Sequence, residues 1–368
     1  MSTKKDKFSL KDHLYMELAL DLAKARRGLT GSNPSVGCVI VKDDKIISIG
    51  QTSFNGRPHA EFNAIKNCIE DLKDSKIYIT LEPCCHYGKT PPCTTIIKNS
   101  KISEVIYSIK DVDKRVHGKA NKILKSKKIN VKYGLLKDKI KQFYSPYFYN
   151  RKYKLPYITG KIAISKNNLI YSKGHKKITN SLSNKLTQYL RLSNDSILIS
   201  YKTLNKDNPK LNCRIKKMEK FSPKRIILDN KLNLNTNSYI FRSSNKNNTI
   251  VFYNEANKSK INLFRKNNIN LIRSKISKDK KFDFKIIRKK LYYLGLRNIL
   301  IEGGNDLTNY LLKNRVFNQF YLFKSSKKIP KVNDYKVFNG LKTLKHNYKN
   351  RIKLKSNFGK DTVILHRI

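Results

Sequence analysis

Two α/β domains in tandem are the fold that this sequence predicts, the first a three-layer sandwich with helices on both faces of its sheet. Three observations predict it. The chain has 368 residues, more than one typical domain holds. Short apolar runs alternate with segments of helical period, the pattern of a sheet covered by helices. After about residue 147 that alternation starts again, which sets expected domains at 1–147 and 148–368.

The elements follow in order. Residues 14–27, "LYMELALDLAKARR", carry apolar positions at helical spacing, with Gly28 as a C-cap. "SVGCVIVKDDKIISIG" (35–50) predicts two strands joined by a turn at Asp43-Asp44. "HAEFNAIKNCIEDL" (59–72) predicts a helix, and "KIYITLEP" (76–83) a strand ended by proline. "TTIIKNS" (94–100) opens another helix before the strand "EVIYSIK" (104–110), and 117–134 completes a helix and a short strand.

In the second half, 151–165 passes from a basic linker into a new strand. Further buried strands are expected at 194–200, 224–229, 247–254 and 297–304, with helical segments between them. The stretches 231–248 and 257–282 are low in complexity and predict loops or solvated helix faces.

Composition narrows the function classes less than it first promises. The formal net charge is +53, from 79 Lys and Arg against 26 Asp and Glu. Such a charge suits a polyanion-binding surface. It equally suits compositional drift, because the excess Lys is spread along the chain beside abundant Asn, Ile and Tyr and no Trp. Charge alone decides nothing. No stretch approaches 18 consecutive apolar residues, so no transmembrane helix is expected. The basic N-terminus lacks an apolar signal region, so a cytoplasmic enzyme with reduced cysteines is expected.

The chemistry concentrates in "TLEPCCHYGKTPPC" (80–93), where Cys84, Cys85, His86 and Cys93 fall within ten residues. Upstream, "HAE" begins at His59. A His-x-Glu followed by Pro-Cys and a further Cys is the pattern of zinc-dependent deamination of an amino-substituted ring. Two thiolates and an imidazole leave the fourth tetrahedral position of Zn²⁺ to water. Zinc brings the pKa of that water toward neutrality, and a carboxylate that is not a ligand then shuttles the proton to the ring and to departing ammonia. Glu61, two residues beyond His59, is placed for that shuttle. His59 and Cys84 are both expected at helix starts, and Cys93 just before one, where positive partial charge favours thiolate. Each residue alone is most simply a surface histidine or a small buried cysteine; their conjunction with Glu61 is what argues for a site.

The Cys–Cys separation adds specificity. Nucleic-acid deaminases use Cys-x-x-Cys, whereas eight residues separate Cys84 from Cys93 here. With "NPSVGCVIV" (33–41), "PHAE" (58–61) and "DVDKRVHGKA" (111–120), the motif resembles the bifunctional riboflavin-biosynthesis deaminase/reductase family over nearly the whole chain. The resemblance implies a cytidine-deaminase-like domain followed by a dihydrofolate-reductase-like domain. It implies zinc on His59, Cys84 and Cys93, Glu61 as proton shuttle, Cys85 as a neighbour of the site, and His86 as a supporting or substrate contact. It makes 111–120 the substrate-side loop. The implied reactions are hydrolytic removal of the 2-amino group of 2,5-diamino-6-(5-phosphoribosylamino)pyrimidin-4-one, then NADPH reduction of the ribosyl group to ribityl.

In the second domain, "ILIEGGNDLTNYLL" (299–312) has the strand, acid, paired glycines and helix that a phosphate cradle needs. Carried over by resemblance, NADPH contacts fall on Ala163, Thr203, Asp207, Asn230, Gly303 and Gly304. Substrate contacts fall on Arg191, Leu211, Arg214 and Glu302, with Arg191 suited to grip a phosphate bidentately. The chain departs from the family at "SKNN" (165–168) and at Lys177-Ile178-Thr179. The partners implied are small phosphorylated pyrimidines and a second copy of the chain in a homodimer, with neither membrane nor nucleic acid. Two other readings compete: a tRNA or nucleic-acid deaminase with a degenerate C-terminal domain, and a nucleic-acid-binding protein whose structural zinc is closed by Cys85 or His86.

Overall fold

The computed structural model describes residues 7–88, 90–175 and 177–368; the first six residues of the expected signal-free N-terminus lie outside that range. The chain divides into two compact units, Met1–Lys154 and Leu155–Ile368.

The first unit contains α1 (Leu10–Ala25), β1 (Gly37–Lys42), β2 (Lys45–Gln51), α2 (Ala60–Lys66), β3 (Lys76–Leu81), α3 (Cys93–Asn99), β4 (Glu104–Ile109), α4 (Lys119–Lys125), β5 (Asn130–Tyr133) and α5 (Lys137–Tyr153). Helix α1 starts four residues before the apolar period does, because Ser9 and Asp12 form a reciprocal capping box at 3.1 and 2.8 Å. The hairpin turns at Asp43 and Asp44, both at positive φ (48° and 60°), a twist that matches the flanking strands. The sheet order is β2-β1-β3-β4-β5, with β1 antiparallel to both neighbours and β3, β4 and β5 parallel. Tyr78 and Thr80, two apart on β3, reach the same face: Tyr78 donates to Asp12 of α1 and Thr80 meets Tyr144 of α5. Helix α2 lies on the other face, tight against Gly50, where an added Cβ would sit 2.1 Å from the Ala60 carbonyl oxygen. That close approach fixes the start of α2 on the sheet.

Three differences from expectation have local causes. Helix α2 stops at Lys66 instead of 72; Asn67 caps it, and the Asp71 side chain takes the Lys73 amide in a turn. Helix α5 was not expected at all, and it runs through the expected boundary at 147/148. Its interior Pro146 reads as a breaker, yet Ile140, Tyr144, Pro146 and Asn150 form its buried stripe. The basic "linker" at 151–153 is the last turn of that helix.

The second unit contains β6 (Tyr157–Ile164), β7 (Leu169–Ser172), α6 (Ser181–Leu192), β8 (Ser196–Ser200), α7 (Tyr201–Asp207), β9 (Lys224–Leu228), α8 (Tyr239–Arg242), β10 (Thr249–Tyr253), α9 (Lys258–Lys266), β11 (Asn270–Arg273), α10 (Phe284–Tyr293), β12 (Asn298–Ile301), α11 (Asn305–Lys313), β13 (Gln319–Lys324), β14 (Tyr335–Val337), α12 (Leu341–Asn347), β15 (Asn350–Lys353) and β16 (Thr362–Arg367). Nine strands form one sheet, β11-β10-β9-β8-β12-β6-β13-β16-β15. It is parallel from β11 to β13 and antiparallel at β16 and β15. Period-two burial feeds two cores. Leu198, Ile226, Ile250 and Ile299 join α10, α11 and α12, while Ile197, Ile227, Val251 and Leu300 join α7, α8 and α9. β7 and β14 pair separately as a two-stranded ribbon.

The low-complexity stretches are not mere loops. Leu232, Leu234, Ile240 and Phe241 are buried from the first, and the second supplies α9 and the edge strand β11. Dense Asn and Lys on the exposed positions masked these apolar anchors. Among the described residues no helix is long and apolar enough to cross a membrane, and all six cysteines are free.

Candidate active sites

In the first unit the donor atoms of His59, Cys84 and Cys93 lie within 4.8 Å of one another, the one such metal-ligating group among the described residues. His59 is the N-cap of α2 and Cys93 the first residue of α3. Cys84 does not begin a helix as expected. It sits in the irregular segment after β3. Its Sγ instead accepts from the Cys93 amide at 3.3 Å, and its carbonyl oxygen from the Thr94 amide at 3.1 Å. His59 Nδ1 lies 3.3 Å from Cys93 Sγ and 3.6 Å from Cys84 Sγ.

The electrostatics suit a cation at this point. Hydrogen bonding from the Cys93 thiol, and further from His59 and the Cys93 amide, brings the Cys84 thiol down to about 4. The same shared proton, with burial, pushes Cys93 up. Burial raises the Glu61 carboxyl, with the neighbouring His59 partly offsetting it. Glu61 is only 3% exposed. Two thiols and an imidazole converging on one point beside a buried carboxylate are the donor set of an open zinc site.

Cys85 and His86 do not join the cluster. Cys85 Sγ donates to the Arg115 carbonyl oxygen at 3.3 Å, on the loop 111–120. His86 Nδ1 is buried with no hydrogen-bond partner among the described residues. A fourfold protein-closed zinc through either residue is therefore not built here.

Sequence reasoning passed over Glu82. It is 3% exposed and accepts from the amides of Asp111 (3.1 Å), Gly118 (3.0 Å) and Ala120 (3.2 Å). The signal was present: an acid between an apolar strand and a proline.

In the second unit a cavity of about 940 Å³ opens at the carboxyl ends of β6, β8, β9 and β12, where open parallel sheets bind ligands. Ala163, Thr203, Asp207, Asn230, Glu302, Gly303 and Gly304 all line it. An added Cβ at Gly304 would lie 2.7 Å from Thr203 Oγ1, so the cradle between α7 and α11 needs glycine there. Asn230 Oδ1 is buried and unpartnered beside this space. Backbone amides, a hydroxyl and an orphan carbonyl around a cavity of this size fit a dinucleotide.

The substrate-side residues are placed less uniformly. Arg191 donates to Glu302 through Nε (3.0 Å) and Nη2 (2.9 Å) and to the Asn212 carbonyl oxygen through Nη1 (3.1 Å). Its fork is engaged by protein, not open to a phosphate. Leu211 is 2% exposed, at φ 54°, packed in the core. Arg214 is exposed, its amide donating to Gln188. None of Arg191, Leu211 and Arg214 lines the cavity. Lys161, unanticipated, does line it, and burial lowers its pKa against the pull of Glu302. A lysine in the apolar run "YITGKIAIS" was its legible sign. The departures at 165–168 are accommodated: Ser165 Oγ takes the Leu169 amide at 2.9 Å, and Asn168 supplies positive φ (63°).

Comparisons with known proteins agree with both sites. Residues 9–109 match the cytidine and deoxycytidylate deaminase zinc-binding region, and residues 156–364 match the RibD C-terminal domain. The riboflavin biosynthesis protein RibD of Aquifex aeolicus is 33% identical over 96% of this chain and 97% of its own. The chain belongs to the RibD family. The RibD protein of Actinobacillus pleuropneumoniae is 31% identical over 85% of this chain and 83% of its own. A Thermotoga maritima crystal structure, described as a diaminohydroxyphosphoribosylaminopyrimidine deaminase/5-amino-6-(5-phosphoribosylamino)uracil reductase, superposes with a TM-score of 0.81. It is 28% identical and covers 97% of this chain and 98% of its own. As a RibD-family member the chain is a bifunctional enzyme of riboflavin biosynthesis, a zinc deaminase joined to an NADPH reductase.

Proposed function

We propose that the first unit hydrolyses the 2-amino group of 2,5-diamino-6-(5-phosphoribosylamino)pyrimidin-4-one and that the second reduces the ribosyl group of the deaminated product. The single observation carrying the first half is the convergence of His59, Cys84 and Cys93 beside buried Glu61. His59, Cys84 and Cys93 hold zinc, and Glu61, raised by burial, takes a proton and passes it to the ring nitrogen and the leaving amine. Bound zinc supplies an acidified water, and bound NADPH supplies a hydride.

In the second unit Ala163, Thr203, Asp207, Asn230, Gly303 and Gly304 cradle the dinucleotide, supported by their shared place on the cavity wall. Glu302 faces the substrate, and Arg191 acts by fixing its carboxylate. Arg214 is the exposed cation available to a phosphate, and Leu211 supports the turn that carries it. Deamination is assigned to the first unit and reduction to the second, in place of a division at 147/148 that would cut α5. The assembly is a homodimer, for which the exposed edge strand β15 offers a face, and the enzyme works in the cytoplasm with free thiols. Nucleic acid is not a substrate, a reading supported by the eight-residue cysteine separation.

The test is one coupled assay on the diaminopyrimidine phosphate, following ammonia and NADPH separately. Both products appear in order if the proposal holds. Ammonia from RNA, with salt-sensitive binding and no NADPH oxidation, would replace it with the nucleic-acid reading.

A further inference from the structure

The carboxylate of Glu82 has no salt-bridge partner among the described residues, yet both of its oxygens are engaged. Oε2 accepts from the amides of Asp111 and Gly118, and Oε1 from that of Ala120. Burying a carboxylate is costly unless it is hydrogen-bonded, and three backbone amides supply those bonds here. Those amides come from the two ends of one loop: Asp111 opens it after β4, and Gly118 and Ala120 close it where α4 begins. Charge-assisted bonds of this kind are roughly twice as strong as neutral ones, so a single side chain ties both loop ends to the residue before Pro83. The middle of the loop is gripped from the same turn, where Cys85 Sγ donates to the Arg115 carbonyl oxygen. Glu82 and Cys85 flank Cys84, so the loop is pinned on both sides of a cysteine of the cluster.

We propose that Glu82 is a positioning residue of the deaminase: it fixes the loop 111–120 against the cysteine turn so that the loop's side chains meet the pyrimidine in register. The proposal rests on the deaminase reading above. Its chemistry needs acceptors only. In Glu82→Gln the shape is kept, but an NH₂ group must face an amide donor. With the oxygen in the Oε2 place the Ala120 bond is lost; with it in the Oε1 place the Asp111 and Gly118 bonds are lost. The remaining bonds lose their charge assistance. Misplacing a binding group by about 1 Å can cost on the order of 100-fold.

The experiment uses the full zinc-loaded chain. For Glu82→Gln we expect the deaminase KM to rise by about tenfold or more, with kcat changed far less, zinc still bound one per chain and NADPH oxidation on deaminated substrate unchanged. Glu82→Asp, which keeps the charge on a shorter arm, recovers part of the KM. Hydrogen exchange adds a readout independent of any variant. The Gly118 and Ala120 amides should be protected in the wild type, and the one that faces the new NH₂ group should speed up in Glu82→Gln. An unchanged KM, loss of zinc together with activity, or wild-type Gly118 and Ala120 amides exchanging as freely as an open loop would each overturn the positioning role. If Glu82→Gln fails to fold, Glu82→Asp and the wild-type exchange decide. Absence of ammonia release by the wild type sinks the deaminase reading instead; normal release with an indifferent Glu82→Gln sinks only this inference.

Discussion

The two sites of this chain are built in opposite ways. The metal cluster draws all of its donors from two short stretches, 59–61 and 84–93, each at or beside a helix start. The reductase cavity draws its wall from the ends of four strands and from segments as far apart as 161 and 339. A metal demands fixed residue types at contact distance, which compresses the chemistry into a motif. A dinucleotide asks mostly for backbone amides and space, which any of many sequences can supply. The first kind of site is therefore sharp to point substitution, and the second should yield by degrees.

The sharpest break is expected at the metal. Replacing Cys93 by Ser should abolish zinc retention and with it the acidified water, lowering ammonia release by more than the roughly 10²–10⁴-fold that one proton-transfer group supplies; Cys85→Ser should keep its zinc. Metal analysis beside the ammonia assay checks both. Next comes the buried pair Arg191–Glu302, with side chains 10% and 14% exposed. Arg191→Met leaves Glu302 buried without its partner, and denaturant titration should show the second unit weakened by about 3–5 kcal/mol.

A smaller effect is expected in the glycine cradle. Gly304→Val sets branched carbon against Thr203 and should weaken NADPH binding about tenfold, near 1.4 kcal/mol, with ammonia release untouched. Fluorescence titration with NADPH reads it. The smallest effect is a pH limb. Burial alone would raise Glu302, but Arg191, Lys161 and Arg214 together outweigh it and hold the folded carboxyl below its ordinary value. The stability it confers is complete above the unfolded value near about 4.3 and is lost as pH falls through the lower folded value. Melting curves across that window should fall less steeply for Glu302→Gln than for the wild type.

What could be read in the sequence follows the same division. His59, Glu61, Cys84 and Cys93 were legible because their residue types are rare and their chemistry is jointly specific. Cys84's setting was not, since a turn between prolines has no period to read. Helix α5 escaped because Pro146 imitates a break, although the proline sits in the buried stripe. Strand β11 escaped because polar Asn and Arg bound its short apolar pair, whereas α9 is the solvated helix that stretch allowed, anchored by buried Phe264. In the reductase unit the cavity-lining residues came through family resemblance, yet resemblance could not show that the Arg191 fork is already occupied by Glu302. Pairwise competition between a ligand and a neighbour is a three-dimensional fact. Glu82 was overlooked for a related reason: its partners are backbone amides 29 to 38 residues away, which leave no side-chain signature.

The central claim is that one chain houses two separable chemistries, the first worked by Glu61. Its most direct test is Glu61→Gln in the full zinc-loaded chain, assayed for ammonia release from the diaminopyrimidine and for NADPH oxidation on the deaminated product. The account predicts ammonia release lowered by roughly 10²–10⁴-fold, with zinc retained and NADPH oxidation at the wild-type rate. Joint loss of both activities in a folded, zinc-bearing variant would contradict it, as would ammonia release that survives intact.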